Sequence, residues 1–543
     1  MLYPMRTLYA RLTSLCALLL AGLLLPVTAA RAVSYTWNGT STDWNNGANW
    51  LPTGVPAAAD LVTINACTAN CPVLAANTSL SGITMNGGTL NLGGHTLSVT
   101  GNAVFTRGTV LNGALSLSGN TTTFGNSSGG PSIEASVTAA CPNVTFANTT
   151  TGPGAVLNIT WLAGGAFSQN NTGGNVFNGP AAFTNAGTSY CAMGSTVRDI
   201  YNGDLTLTIS GTGNCSLMMA NASTGNQVNG NLHLNATGGW AILFGHGGGT
   251  ATLKEGRQIR EGTSPGFRAG IFLLSNFTQA GPTTQNITFQ GGIVQLRSGT
   301  IFNGDVSISA HSVLLDGCTF RGAARVQRWG GGWNRSQGGN VFHGPATIIN
   351  NSNSPVQMGI SSPDTFMQDV TFVNTGSGDG SIIVANSSAG NQFGGNIHIH
   401  STGASNGGVS FGEGGGTSLL KEGMQIKEVP GGFTHGTLKL HNFAQAGTTP
   451  QSVTGTINAR IALGTGTTFR APVRFTAPNL WLDGATYHNT ATFIKTQGFV
   501  SNCRGGNTFR GKVTILNQGT ATSVVNMATQ VNDELLPPAP PLN

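Results

Sequence analysis

A short pattern of apolar and polar positions recurs along this chain: an aromatic or apolar residue, any residue, a glycine, any residue, then two apolar positions separated by one. It reads Phe177-x-Gly179-x-Ala181-x-Phe183, then Tyr201-x-Gly203-x-Leu205-x-Leu207, then Val228-x-Gly230-x-Leu232-x-Leu234. Further copies start at Phe302, Phe320, Phe342, Phe393 and Phe509, with looser ones at Phe366, Phe469 and Tyr487. Alternation with period two marks strands that bury one face. The glycine suits a bend where the backbone needs a positive φ or a close approach. Each copy reads as one strand and one corner.

The gaps between copies carry more. From Phe177 to Phe342 they run 24, 27, 74, 18 and 22 residues, and from Phe342 to Phe509 they run 24, 27, 76, 18 and 22. Longer strings follow the same rhythm: Gly174-Asn175-Val176-Phe177 returns as Gly339-Asn340-Val341-Phe342, and Leu253-Lys254-Glu255-Gly256 as Leu420-Lys421-Glu422-Gly423. A block of about 165 residues is read as duplicated. Units of 18–27 residues with no amphipathic helix pattern predict an all-β parallel β-helix, a solenoid whose coils bury their apolar sides only by stacking. Twenty or so coils at ~4.8 Å would make a rod of roughly 100 Å. The right-handed form is the expectation, as the commoner one among secreted proteins of this size.

Composition narrows the function classes. Charged side chains are 8% of the 543 residues, against about 25% in ordinary soluble domains, while Gly reaches 81 and hydrophobics 39%. That is too apolar and too uncharged for disorder. The net charge of +6 includes Arg6, Arg11 and Arg31 of an acid-free leader. No stripe of Lys and Arg suits phosphate neutralisation, so nucleic acid is not expected as a partner.

Residues 1–32 read as a secretory signal peptide: a basic start, the apolar run Leu15 to Val27, and the small-x-small site Ala30-Arg31-Ala32. The run is short for a bilayer span, and no transmembrane segment is expected elsewhere. The remainder divides into a Trp-rich lead (33–66), the β-helix (67–530) and a Pro-rich tail (531–543) expected to be disordered. Outside the leader stand seven cysteines. Cys67 and Cys71 are candidates for a local disulfide, and Cys191 and Cys215, 24 residues apart, for a bridge between stacked coils.

The lead holds Trp37, Trp44 and Trp50 within fourteen residues. The favoured reading is a cap over the apolar end of the solenoid, and the competing one a platform on which sugar rings stack. This tryptophan-rich lead followed by Gly-Asn-x-Phe-x-Gly coils resembles the long β-helical surface proteins secreted by Bacteroidota-type bacteria, with a pectin-lyase-like fold. The resemblance implies export and a surface role, presumed adhesion, and no defined activity. Members often end in a C-terminal sorting domain; here Asp533-Glu534-Leu535-Leu536-Pro537-Pro538 stands instead of a further coil.

Pectin-lyase-like folds also host polysaccharide lyases and hydrolases, whose chemistry needs convergent carboxylates. The adjacent acids Asp533-Glu534 fall in the tail. Gly245-His246-Gly247 matches a family motif, yet the corresponding turn reads Gly412-Glu413-Gly414, as a variable loop would. Asp199 with Asp204, and Asp364 with Asp369, read as surface corners rather than a calcium site. His398 and His400 alternate on one strand and share an outward face, with no third metal ligand evident. No catalytic residue, cofactor or metal is assigned.

The segment Arg328-Trp329-Gly330-Gly331-Gly332-Trp333-Asn334-Arg335 is the best candidate for a sugar contact, through Trp329, Trp333 and Arg335. The expected function is a non-catalytic, secreted or cell-surface β-helix, an adhesin or matrix component with polysaccharide or surface glycans as partners. The alternative is a polysaccharide lyase or glycoside hydrolase.

Overall fold

In the computed structural model the described residues are 31–162, 169–263, 266–332, 334–377, 380–403, 407–497 and 501–519, with two-residue strands at Val525–Asn526 and Glu534–Leu535. Nearly all of the segment read as a signal peptide, Trp333 and most of the segment read as a tail lie outside them. The chain winds as a parallel β-solenoid in which each coil contributes a strand to each of three faces. One coil runs Ala181–Asn185, Tyr190–Ala192, Ile200–Tyr201, and the next Leu205–Ile209, Ser216–Met219, Asn226–Val228. We call the face holding Tyr190–Ala192 face one, that holding Ala181–Asn185 face two, and that holding Ile200–Tyr201 face three. Face three is a single ladder of twenty short parallel strands, from Thr89–Asn91 to Glu534–Leu535. Among the described residues no helix is long and apolar enough to cross a membrane.

The recurring motif spans two of these strands. Its aromatic ends the short strand on face three, its glycine turns the corner, and its alternating apolar pair lies on face two. Face one falls outside the motif, so a coil has three strands where the motif showed one. The glycine is explained by close approach. A Cβ on Gly203 would lie 2.4 Å from the Gly179 carbonyl, and one on Gly230 would lie 2.1 Å from that of Gly203. Gly179, Gly203 and Gly230 therefore stack in a column, and none of them has positive φ.

Inward side chains form one continuous core. Phe320, Phe342, Phe366 and Phe393 are in register on face three, their ring centroids 4.8, 4.7 and 5.2 Å apart and their planes within 8° of parallel. Each such pair adds about 0.5–1.5 kcal/mol beyond area burial.

A polar ladder runs beside the aromatic one. The Asn175 backbone N–H and Nδ2 both donate to Asp199 Oδ1, at 3.0 and 2.9 Å, and the Asp199 N–H donates to Asn226 Oδ1 at 2.8 Å. Asn340, Asp364 and Asn391 repeat this arrangement at 2.9, 2.9 and 2.8 Å. Asp199 and Asp364 are thus fully buried, which corrects their reading as surface corners. Burial pushes both carboxyls up to about 6, against the pull of the Asn175 and Asn340 hydrogen bonds.

Trp37, Trp44 and Trp50 are buried against one another, with centroids 4.7–6.5 Å apart, and belong to the main core. Their faces are covered, so they offer no platform for a sugar. The lead is continuous with the solenoid: Ser34–Trp37 pairs in parallel with Leu61–Ile64 and antiparallel with Trp50–Leu51. At the other end, Glu534–Leu535 pairs with Thr508–Phe509, so ladder pairing reaches into the segment read as tail.

Cys67 and Cys71 are joined by a disulfide. Cys191 and Cys215 are free, buried thiols, which corrects the stacked bridge expected from their spacing. The register explains why: Cys191 stands opposite Leu217, two residues beyond Cys215. Cys215 Sγ instead donates to the Asn185 carbonyl at 3.3 Å.

Candidate functional site

On face one, Val409–Phe411, Thr437–Leu440, Arg460–Gly464 and Asn479–Asp483 are consecutive rungs. Their alternation sends Phe411, Leu438, Leu440, Ile461, Leu463, Leu480 and Leu482 into the core. The same alternation turns Ser410, Lys439, Ala462 and Trp481 outward in one register row. Ala462, a single methyl between a lysine and a tryptophan, leaves the floor low. The result is an open groove of about 450 Å³, also lined by Glu413, His441, Asp483 and Arg504.

The groove is held by specific contacts. The Arg460 guanidinium lies 4.6 Å from the Trp481 ring centroid, a cation–π contact that steadies the half-buried indole. Trp481 Nε1 has no hydrogen-bond partner among the described residues. Glu413 accepts from Lys439 Nζ at 3.4 Å and from Ser410 Oγ at 3.0 Å. The Arg504 N–H donates to Asp483 Oδ1. A Cβ on Gly464 would lie 2.3 Å from His441 Nε2, so the imidazole rests against this glycine. Burial and the nearby Lys439 hold His441 below its ordinary value, against the pull of Glu413 and Asp483. An aromatic ring beside hydroxyls and paired charges supplies the stacking and hydrogen bonding that a sugar ring takes up.

Of the residues singled out in the sequence, Arg335 lies elsewhere on face one, beside Arg297, Asp316 and Gln337 in a second hollow of about 490 Å³. Trp329 is 39% exposed at the corner between faces two and one, edge-on to His311 with centroids 5.3 Å apart. Trp333 lies outside the described residues. Arg328 is buried and serves the fold: its guanidinium donates to the carbonyls of Gly332, Ser354 and Pro355. Among the described residues, Arg328, Trp329 and Arg335 thus have separate surroundings: a buried anchor, an exposed corner and a hollow on face one.

On face two, His398 meets Asp369 at 3.2 Å, and His233 meets Asp204 at 3.6 Å in the same arrangement. Among the described residues no group of three or more His, Cys, Asp or Glu side chains is placed to hold a metal ion. Sequence reasoning missed the groove because its members are spread from Ser381 to Arg504. The one signal was Glu413 standing where the earlier turn has His246.

These features define a parallel β-solenoid whose architecture is consistent with the pectin-lyase-like class, with a side-chain groove on one face. The chain matches no protein-family model, no curated protein and no solved structure. Its function is therefore read from the geometry of the groove.

Proposed function

We propose that this protein is a non-catalytic, secreted β-solenoid, an adhesin or matrix component, that binds polysaccharide through the groove at Trp481. The observation carrying this reading is the indole itself, backed by Arg460 and set beside Lys439, His441 and Ser410 in an open groove. Tryptophan faces stack on pyranose rings, and the surrounding donors and acceptors fix their hydroxyls. Both oxygens of Glu413 are already engaged, by Lys439 and Ser410, as befits a binding role. The repeated spacing and the Asn–Asp–Asn ladders support a duplicated block of about 165 residues; the Bacteroidota-type surface-protein relationship and the right-handed winding are proposed from the sequence resemblance alone.

A second reading, a polysaccharide lyase or glycoside hydrolase, is favoured by one observation: Glu413 and Asp483, 70 residues apart, line one groove and both act on His441. Affinity electrophoresis through gels containing acidic or neutral polysaccharides separates the two readings. Retardation of the intact protein, lost in Trp481→Ala, is expected, with the polymer unchanged in length. Shortening of any polymer would overturn the binding reading in favour of the enzyme.

A further inference from the structure

The outward residues of face two change in kind along the solenoid. On consecutive rungs from Thr96–Val99 to Leu205–Ile209, inward residues such as Leu97, Ile159 and Leu207 are buried. One outward row reads Ser98, Ser116, Thr138, Asn158, Ala182 and Thr206 in register. A second, two residues along each strand, reads Ala140, Thr160, Thr184 and Thr208. No side chain in these two rows is charged or aromatic, and none is larger than asparagine. Glu134 and Asp204 stand at the corner that precedes the strands, not on them.

The fold does not ask for this uniformity. Thr206 is followed in its row by His233 and Arg260, and a later stretch carries Thr371, His398 and Lys427. There Ile349 and Val373 stand in register at the place of the second row, without hydroxyls. A plane of small, uncharged side chains is thus a property of one stretch, about 24 Å long over five coil steps.

What such a plane can bind follows from what it lacks and what it repeats. It has no ring to stack on a sugar, no cation for an anionic polymer or bilayer, and no aromatic or arginine anchor for a protein. It does repeat hydroxyls and methyls, at ~4.8 Å along the axis and ~6.6 Å along the strand. Repeats of this size are close to those between water molecules on the low-index planes of ice. Each threonine carries a hydroxyl that gives one hydrogen bond and takes two, beside a methyl that orders the water over it. The side chains are held stiffly, because threonine is restricted at χ1 and each strand is bonded to the coils on either side. Water over this plane is therefore held in a fixed array.

We infer that the outer side of face two between Ser98 and Thr208 is an ice-binding plane, whose ligand is the surface of a water crystal. The inference does not rest on the groove at Trp481, which lies on face one and farther along the chain.

The test uses the full chain in dilute buffer from which ice is grown slowly. Partition is read by the absorbance of the melted ice against the remaining liquid, and by the shape of single ice crystals. The variants are Thr184→Lys and Thr138→Lys in the plane and Thr347→Lys on the later stretch as a control, each checked for folding by its denaturant midpoint. The intact protein should enter the ice and facet the crystals. Thr184→Lys and Thr138→Lys should stay in the liquid, and Thr347→Lys should behave as the intact protein does. Should one plane variant fail to fold, the other carries the comparison. Exclusion of the intact protein from ice, undiminished entry of a folded plane variant, or an equal loss in Thr347→Lys would overturn the plane. Polysaccharide retardation is measured apart from all of these, so the groove reading stands or falls separately.

Discussion

Asp364 Oδ1 receives two hydrogen bonds from Asn340, both at 2.9 Å, while its second oxygen is buried with no partner among the described residues. Its counterpart Asp199 differs in one respect: Tyr201 Oη donates to Asp199 Oδ2 at 3.4 Å, and Phe366 stands where Tyr201 would be. A carboxyl half-satisfied in this way is held most comfortably as the neutral acid.

The consequence is a stability that falls as pH rises. Each carboxyl titrates near 6 in the folded chain against an ordinary 3.8. Between those values the unfolded chain releases its proton and the folded chain keeps it, so folding loses on the order of 3 kcal/mol per carboxyl. That stability is fully present below about 4 and gone above about 6. Asp364→Asn should cancel one such contribution. Its denaturant midpoint relative to the unaltered protein should rise between pH 4 and pH 6.5, and a difference that does not change with pH would refute the account.

The glycine column sets a second expectation. Gly203→Ala forces a methyl onto the Gly179 carbonyl and should cost ~1–3 kcal/mol or more, read as a lower denaturant midpoint. Gly154→Ala is the control, because nothing lies within 4 Å of a Cβ there and the change should be nearly neutral.

Phe366→Ala removes one ring from within the stack that runs from Phe302 to Phe393 and should destabilise by about 3–5 kcal/mol. Phe366→Leu should recover much of this, since leucine already serves the same row at Leu420. Equilibrium denaturation of the two variants side by side tests the comparison.

The thiols give a chemical test. Peptide mapping of the non-reduced protein should recover Cys67 linked to Cys71, with Cys191 and Cys215 both alkylated after unfolding. In the folded protein Cys191 should resist alkylation, because burial removes access and raises the thiol well above its ordinary value. A linked Cys191–Cys215 peptide would contradict the register on face one.

For the groove, Ala462→Leu is the sharpest probe. The longer side chain would stand between Lys439 and Trp481 and fill the floor. Polysaccharide retardation should weaken by roughly tenfold, ~1.4 kcal/mol, with the denaturant midpoint unchanged. An unchanged affinity would place the sugar elsewhere.

The solenoid was legible because face two and face three obey a strict rule in which the same inward position recurs in every coil. Phe342, Phe366 and Phe393 must all fit one stack, and Gly179, Gly203 and Gly230 one column. Face one escaped notice because its outward residues answer to no such rule: Ser410, Lys439, Ala462 and Trp481 share a row yet nothing in composition. Only register brings them together. The buried aspartates do carry a readable sign. Asp199 and Asp364 stand two residues before Tyr201 and Phe366, the position held by Asn175 before Phe177 and Asn391 before Phe393. An acid in an asparagine column belongs to the column.

The stacking of coils bears on how damage spreads. Each rung of the face-three ladder bonds only to the rung above and the rung below, so no contact there ties Phe366 to Val110. Folding in such a molecule propagates like a zip, from whichever coils close first, and a lesion loosens its immediate neighbours while distant coils hold. A protein built this way can fray at one station along its length and keep its grip at another.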